Sequence, residues 1–432
     1  DNRDLRVKVL DAYSNRCNNN NGSDNKDIVK EIVSLKHQKA VLLGYPTYAA
    51  WKIDGSMAGT PDAVYALLEQ IWPKALEAAG RELADIEALA KEDGITTIHP
   101  ADWRYYAAKA KAANYAYDQE EVRNYLKFEN VRDGIFYVSG KLFGLKFIKL
   151  TDVPVPNPEA EAYEVLDADG SSRGVLYMDM FARPGLKGGG AWCSDYRGHR
   201  IDREGNEVKA VVTICGNFPR PSESKPSLLT ADDTETFFHE FGHALAALLS
   251  DVRYSSLNNF IADFVEVPSQ LNEHWAFEPQ VLEVYAKHFE TGEVIPMELV
   301  EKMGASARYG QGFATTELVA AMLLDMDLYS ITDMPENFEP MLFEARTLAD
   351  RGLISEILPR YRLPYFLHIF SHGYDAGYYN YMWASVYECD AYKAFKESGD
   401  IFSPEVARSY RYDILSHVNE EDAMSLYLRF HG

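Results

Sequence analysis

Two histidines four residues apart flank a glutamate in the stretch His239-Glu240-Phe241-Gly242-His243. On a helix this spacing puts both imidazoles on one face, one turn apart, within reach of a single metal ion. Glu240, beside the first imidazole, can take a proton from a metal-bound water. The chemistry implied is metal-assisted hydrolysis, most often of a peptide bond. A tetrahedral catalytic zinc needs a third protein ligand and an open position. Glu266, in Asp263-Phe264-Val265-Glu266-Val267, is the candidate. Its apolar neighbours argue for burial, and a buried carboxylate needs a partner such as a metal. Asp263, one turn earlier, either orients a ligand histidine or is an acid at a helix N-terminus.

These side chains require elements to carry them. Thr230 with Asp233 resembles a capping box, and Phe237, Phe241, Ala244, Leu245 and Leu248 form an apolar stripe at helical spacing. The pattern predicts a helix over 230–250. A core helix with two satisfied histidines explains the stripe but not Glu240, a charge at the same buried edge. Gly242 costs about 1 kcal/mol relative to Ala in a helix, which is expected where another element or a substrate comes close. Ser255-Ser256-Leu257-Asn258-Asn259 supplies a turn, after which a second helix carrying Glu266 can run back.

Further along, Tyr374, Tyr378 and Tyr381 fall at i, i+4 and i+7. If that stretch is helical, three phenols share a face and can donate to the oxyanion of acyl transfer. Gly373 and Gly377 would let the segment close over a peptide. The alternative is an aromatic core stripe, since the chain has 28 Tyr. The run Gly188–Gly190 before Ala191-Trp192 reads as part of a sheet edge, where an extended peptide can pair through main-chain hydrogen bonds; Gly189 and Ala191 are the expected contacts. Arg360 and Arg362 are candidates to hold a substrate's C-terminal carboxylate, or are ordinary surface salt bridges.

The 432 residues, 47% hydrophobic, suffice for a large core or two. A net charge of −23 argues against nucleic-acid binding. No stretch reaches ~18 uninterrupted apolar residues, so no membrane span is expected. Cys17, Cys193, Cys215 and Cys389 are scattered and suggest no disulfide framework. Helical patterns cover 27–43, 61–91, 103–117, 119–128 and 131–143. From 145 to 218 the texture changes, with strands expected over 175–181 and 210–214; helices return from Thr230. The expected organisation is mainly α with a small β-sheet. It comprises a helical region over 1–145, a sheet region over 146–225 and a helical zinc region over 226–432.

The blocks around 238–245, 251–257, 263–266 and Pro268-Ser269-Gln270-Leu271-Asn272-Glu273-His274-Trp275-Ala276 resemble the thimet oligopeptidase family of zinc metallopeptidases. So do 42–52, 188–192, Pro359-Arg360-Tyr361-Arg362, His368-Ile369-Phe370 and 373–383. Within that family the chain is similar to the bacterial peptidyl-dipeptidase and oligopeptidase A branch. The resemblance implies an α-rich zincin-like fold with a deep channel, and one zinc ion on His239, His243 and Glu266. It implies transition-state roles for His368, Tyr374 and Tyr381, with Tyr378 lining the same site. The expected activity is hydrolysis of short unfolded peptides, releasing C-terminal dipeptides. An endo-acting oligopeptidase or a non-catalytic peptide-binding fragment are the alternatives. A monomer is expected, and a cytoplasmic or periplasmic location is left open. His372, where the family has glycine, and Ala246-Ala247, where it has His-Gly, are departures, and the loop 257–263 is about two residues shorter than usual, a change of little free-energy cost. The chain starts at Asp1 without Met and is expected to lack much of the family's N-terminal channel wall and its C-terminal tail.

Overall fold

The computed structural model describes residues 2–115 and 118–432. In chain order, seven helices come first: α1 (Arg3–Ser14), α2 (Lys26–Leu42), α3 (Tyr48–Ile53), α4 (Pro61–Glu92), α5 (Pro100–Tyr115), α6 (Gln119–Arg123) and α7 (Phe128–Phe143). Strands β1 (Lys146–Leu150), β2 (Glu161–Leu166), β3 (Ser172–Phe181), β4 (Trp192–Arg197), β5 (Arg200–Ile201), β6 (Glu207–Val208) and β7 (Ala210–Phe218) follow. Then come α8 (Ala231–Leu249), α9 (Val267–Glu273), α10 (Pro279–Tyr285), α11 (Met297–Ala307), α12 (Gln311–Tyr329), α13 (Pro340–Asp350) and α14 (Leu367–Phe370). The last helices are α15 (Asn380–Glu397), α16 (Pro404–Ser409) and α17 (Ala423–His431). The fold is mainly helical with a small mixed sheet, as the sequence pattern predicts. The end of the expected helix 103–117, at Ala116 and Tyr117, lies outside the described residues. The helix expected over 119–128 ends at Arg123, and α7 begins earlier than its apolar pattern suggests, at Phe128.

The chain divides into two compact units, each built from two stretches. The first comprises Asp1–Tyr117 and Glu301–Tyr381. Its centre is the pairing of α4 with α12. Helix α12 is apolar on nearly every face and buried along most of its length, as a helix surrounded by others must be. A Cβ on Gly312 would lie 2.4 Å from the Ala79 nitrogen, so this glycine lets the two backbones touch. Glu82 of α4 closes the N-terminus of α12, accepting from the backbone N–H of Gly310, Gly312 and Phe313.

The second unit comprises Asp118–Val300 and Met382–Gly432. Its five-stranded sheet has the order β1-β2-β3-β7-β4. The β3–β7 pair is parallel and the others are antiparallel. Strand β3 pairs Leu176 with Val212 of β7 and Tyr163 of β2. Helix α8 packs against this sheet. Phe237 stacks on Phe128 of α7 at 5.4 Å, and Phe241 meets Phe136 and Phe147 at 5.9 and 5.6 Å. The predicted apolar stripe of α8 is therefore the face that fixes the helix to α7 and the sheet, and it leaves the histidines at its border.

Candidate metal centre

Helix α8 begins as its sequence predicts. Thr230 accepts from the Asp233 N–H at 3.0 Å, and Asp233 accepts from the Thr230 N–H at 3.0 Å. Reciprocal caps of this kind satisfy donors that a helix N-terminus leaves open. Two turns on, His239 and His243 present rings 5.0 Å apart. Glu266, 1% exposed, sits at the N-cap of α9 and brings its Oε2 to 3.3 Å from Nε2 of both histidines. The three ligand atoms thus converge on one point.

Glycine makes the convergence possible. A Cβ on Gly242 would lie 2.4 Å from the Pro268 carbonyl oxygen and 2.6 Å from Ser269 Cα. Helices α8 and α9 therefore meet backbone to backbone at Gly242. Three bonds then fix Glu266 and its helix: Ser269 Oγ donates to Glu266 Oε2 at 3.0 Å and to its carbonyl at 2.8 Å, and Asn272 Nδ2 donates to the Phe238 carbonyl at 2.7 Å.

Glu273 was not foreseen. Its Oε1 lies 2.5 Å from Nδ1 of His239 and so fixes the ring with Nε2 turned to Glu266. It stands two helical turns after Glu266, a spacing that offered a signal. Asp263, fully buried, precedes Glu266 and acts electrostatically on Tyr387.

The electrostatics favour a cation. Burial pushes the His239 pKa down, but the hydrogen bonds its ring donates to Glu266 and Glu273 outweigh it and hold the ring well above its ordinary value. Burial works against ionisation of Glu266, yet the two histidines hold it well below the usual carboxylate range. Burial raises the pKa of Glu240, and its Oε2 is buried without a hydrogen-bond partner. Edges of a tetrahedral site with Zn–N and Zn–O bonds of normal length are about 3.4 Å, close to the 3.3 Å separations here. The donor set fits a zinc ion with one open position.

Strand β4 is an edge of the sheet and runs beside α8; the Glu240 charge is felt at Cys193 on that strand. Gly189 and Ala191 lie in the turn and link that lead into β4, where Asn217 Nδ2 donates to the carbonyls of Gly188 and Gly190, both at 2.6 Å.

In the first unit, His368 lies 5.3 Å from Tyr378, 6.0 Å from Tyr374 and 6.5 Å from Tyr381 between ring centres. Tyr374 and Tyr381 stack at 5.4 Å. Tyr361, 4.8 Å from His368, and His372, at 6.0 Å, belong to the same cluster. The stretch from Tyr374 to Tyr379 is not helical, so the condition for three phenols on one helical face is not met: α15 starts only at Asn380, just before Tyr381. Gly373 and Ala376 take positive φ, +86° and +48°, which an α-helix excludes. The N–H groups of Ala376, Gly377 and Tyr378, each at 3.0 Å, donate to the buried carboxylate of Asp325. Burial nonetheless pushes the Asp325 pKa up to about 7. Asp375 is tied separately to Tyr48, Lys36 and Lys52. The phenols are grouped by an anchored turn rather than by helical periodicity.

The two arginines differ. Arg362 Nε donates to Glu344 Oε1 at 2.7 Å, and its Nη1 reaches Ser14 and Asn15. It is a structural tie. Arg360 is 48% exposed, with a longer 3.5 Å contact to Glu317.

The whole chain, residues 1–432, matches peptidase family M3, and it belongs to that family. It is 37% identical to the dipeptidyl carboxypeptidase of Escherichia coli K12 over all of this chain and 63% of that protein. It is 35% identical to the oligopeptidase A of the same organism, over all of this chain and 64% of that one. Among solved structures, the fold is similar to the Trypanosoma cruzi metallocarboxypeptidase 1, with a TM-score of 0.53 and 12% identity over 99% of this chain and 75% of that one. It is also similar to a Pyrococcus furiosus carboxypeptidase, with a TM-score of 0.50 and 14% identity over 98% of this chain and 73% of that one. The chain spans just under two thirds of the length of these two bacterial relatives.

Proposed function

We propose that this chain carries the catalytic centre of a zinc metallopeptidase that removes dipeptides from the C-termini of short unfolded peptides. The observation that carries the reading is the convergence of His239, His243 and Glu266 beside the unpartnered carboxylate oxygen of Glu240. A bound zinc ion supplies Lewis acidity and lowers the pKa of a water. Glu240 is the general base, and its burial favours holding and then returning a proton. Glu273 keeps Nε2 of His239 directed at the ion. The edge strand β4 offers main-chain partners to an extended peptide, led in by Gly189 and Ala191. His368, Tyr374 and Tyr381 are proposed as transition-state groups, with Tyr378 among them. Arg360 is the candidate anchor for the terminal carboxylate; the bonds of Arg362 to Glu344, Ser14 and Asn15 make it the weaker one.

The test is mass spectrometry of an unblocked decapeptide incubated with the zinc-loaded chain. Sequential loss of C-terminal dipeptides, absent in Glu240→Ala, is the expected result. An untouched peptide would overturn the reading for this chain. An endo-acting oligopeptidase is the second reading, favoured by the similarity to oligopeptidase A; such an enzyme would cut a C-terminally amidated peptide as well as the free acid.

A further inference from the structure

Outside the proposed zinc centre, the second unit holds one other group of metal-ligating side chains among the described residues: His274, Glu388 and Cys389. Their ligand atoms lie within 4.8 Å of one another. His274, at the C-terminal end of α9, has its Nε2 hydrogen-bonded to Glu388 Oε2 on α15. Cys389 Sγ donates to the other oxygen of the same carboxylate at 3.1 Å. Two of the three donors are preorganised. The His274 ring is stacked on Tyr392 at 4.1 Å, and Tyr392 is itself held by Glu278 at 2.7 Å. Glu388 is 6% exposed. The third donor is accessible: Cys389 is exposed and borders an open groove of about 460 Å³ with Tyr387, Asp390 and Tyr427.

We propose that His274, Glu388 and Cys389 form a second metal site, selective for a thiophilic divalent cation of the zinc type. Nitrogen, oxygen and sulfur donors together suit zinc or cobalt and disfavour magnesium and calcium, which take oxygen alone. Tetrahedral edges between such donors are about 3.5 Å, so donors as far apart as the 4.8 Å limit have to close by at most about 1.3 Å. Rotation of the exposed Cys389 side chain can supply that. On binding, the Cys389 S–H bond breaks and its proton passes to solvent. The proton at His274 Nε2 moves to Nδ1 or also leaves, freeing a lone pair for the ion. Cys389 borders the groove, and the fourth position is left to water. Burial, and the hydrogen bond to Glu388, push the Cys389 thiol up to about 12. Glu273, the residue before His274, adds negative charge at Cys389.

Cobalt distinguishes this site from the first, which has no sulfur. The full chain loaded with two equivalents of Co²⁺ is expected to show a thiolate-to-cobalt charge-transfer band in the near ultraviolet. Native mass spectrometry is expected to count one ion fewer in Cys389→Ser than in the parent chain. The band should vanish in Cys389→Ser and persist in His239→Ala, which removes a ligand of the first site only. Absence of the band in the parent chain, or its survival in Cys389→Ser, would overturn the proposal. Because the band reports sulfur alone, the outcome does not depend on whether His239 and His243 bind metal or whether any peptide is cleaved.

Discussion

At the scale of the residue, the candidate metal centre joins what is near in sequence with what only folding brings near. His239, Glu240 and His243 were legible because helical geometry turns a four-residue spacing into a shared face. Glu266 was legible because a carboxylate among apolar residues demands a partner. Glu273 was not: its value comes from the particular packing of α9 on α8, which no local pattern encodes. Glu273→Gln can still accept a hydrogen bond but loses the charge that strengthens the ring as a ligand. Metal affinity is expected to fall roughly 10–100-fold, measured by competition with a chelator, while helical content stays unchanged. An unaltered affinity would show that Glu273 plays no part in holding the ion. Removing the metal from the parent chain should in turn lower its melting temperature, since an ion that binds only the folded state stabilises it. Glu240→Gln should keep that metal-dependent shift, because Glu240 is not a ligand.

At the scale of the element, glycine separates two kinds of helix. Gly80 of α4 has open space where a Cβ would stand, whereas Gly242 of α8 has the α9 backbone there. Helix propensity favours Ala at both. Gly80→Ala is expected to stabilise the chain by about 0.5–1 kcal/mol. Gly242→Ala is expected to destabilise it by roughly 1–3 kcal/mol and to weaken metal binding, as chemical denaturation with and without zinc would show. Equal effects at the two positions would refute the close approach. The tyrosine segment teaches the opposite lesson about pattern. Its i, i+4, i+7 spacing gives a shared face only on a helix, but the positive φ values at Gly373 and Ala376 and the carboxylate of Asp325 impose a turn. Asp325 ionises at about 7 in the folded chain against 3.8 when unperturbed. Between those values the folded state holds a proton that the unfolded state has lost, so this residue makes stability fall as pH rises towards 7. Asp325→Asn should flatten that slope across the same window in thermal melts, whatever its effect on absolute stability. Parallel slopes for the two proteins would rule out this titration.

At the scale of the molecule, the sequence conveyed the mainly helical character and the position of the sheet, because strand and helix periodicities differ within short windows. The division into units was not legible. It depends on contacts between stretches far apart in the chain: Trp275 packs on Tyr392 and Phe395, both at 5.1 Å, and donates to the Ile401 carbonyl at 3.1 Å. A fragment of residues 118–300 strips Trp275 of these partners and is expected to remain unfolded by circular dichroism. The same fragment joined by a flexible linker to residues 382–432 is expected to fold. A cooperative melt from 118–300 alone would disprove the dependence.

Each unit is written in two instalments, and two of the passages between them, at 300/301 and 381/382, fall inside α11 and α15 rather than in loops. Recombination that moves one continuous stretch of gene cannot carry away either unit whole, and a break at either of these passages would sever a helix. The two units are therefore inherited together: a lineage can reshape their surfaces and loops, but it cannot exchange one of them for a foreign counterpart by a single crossover.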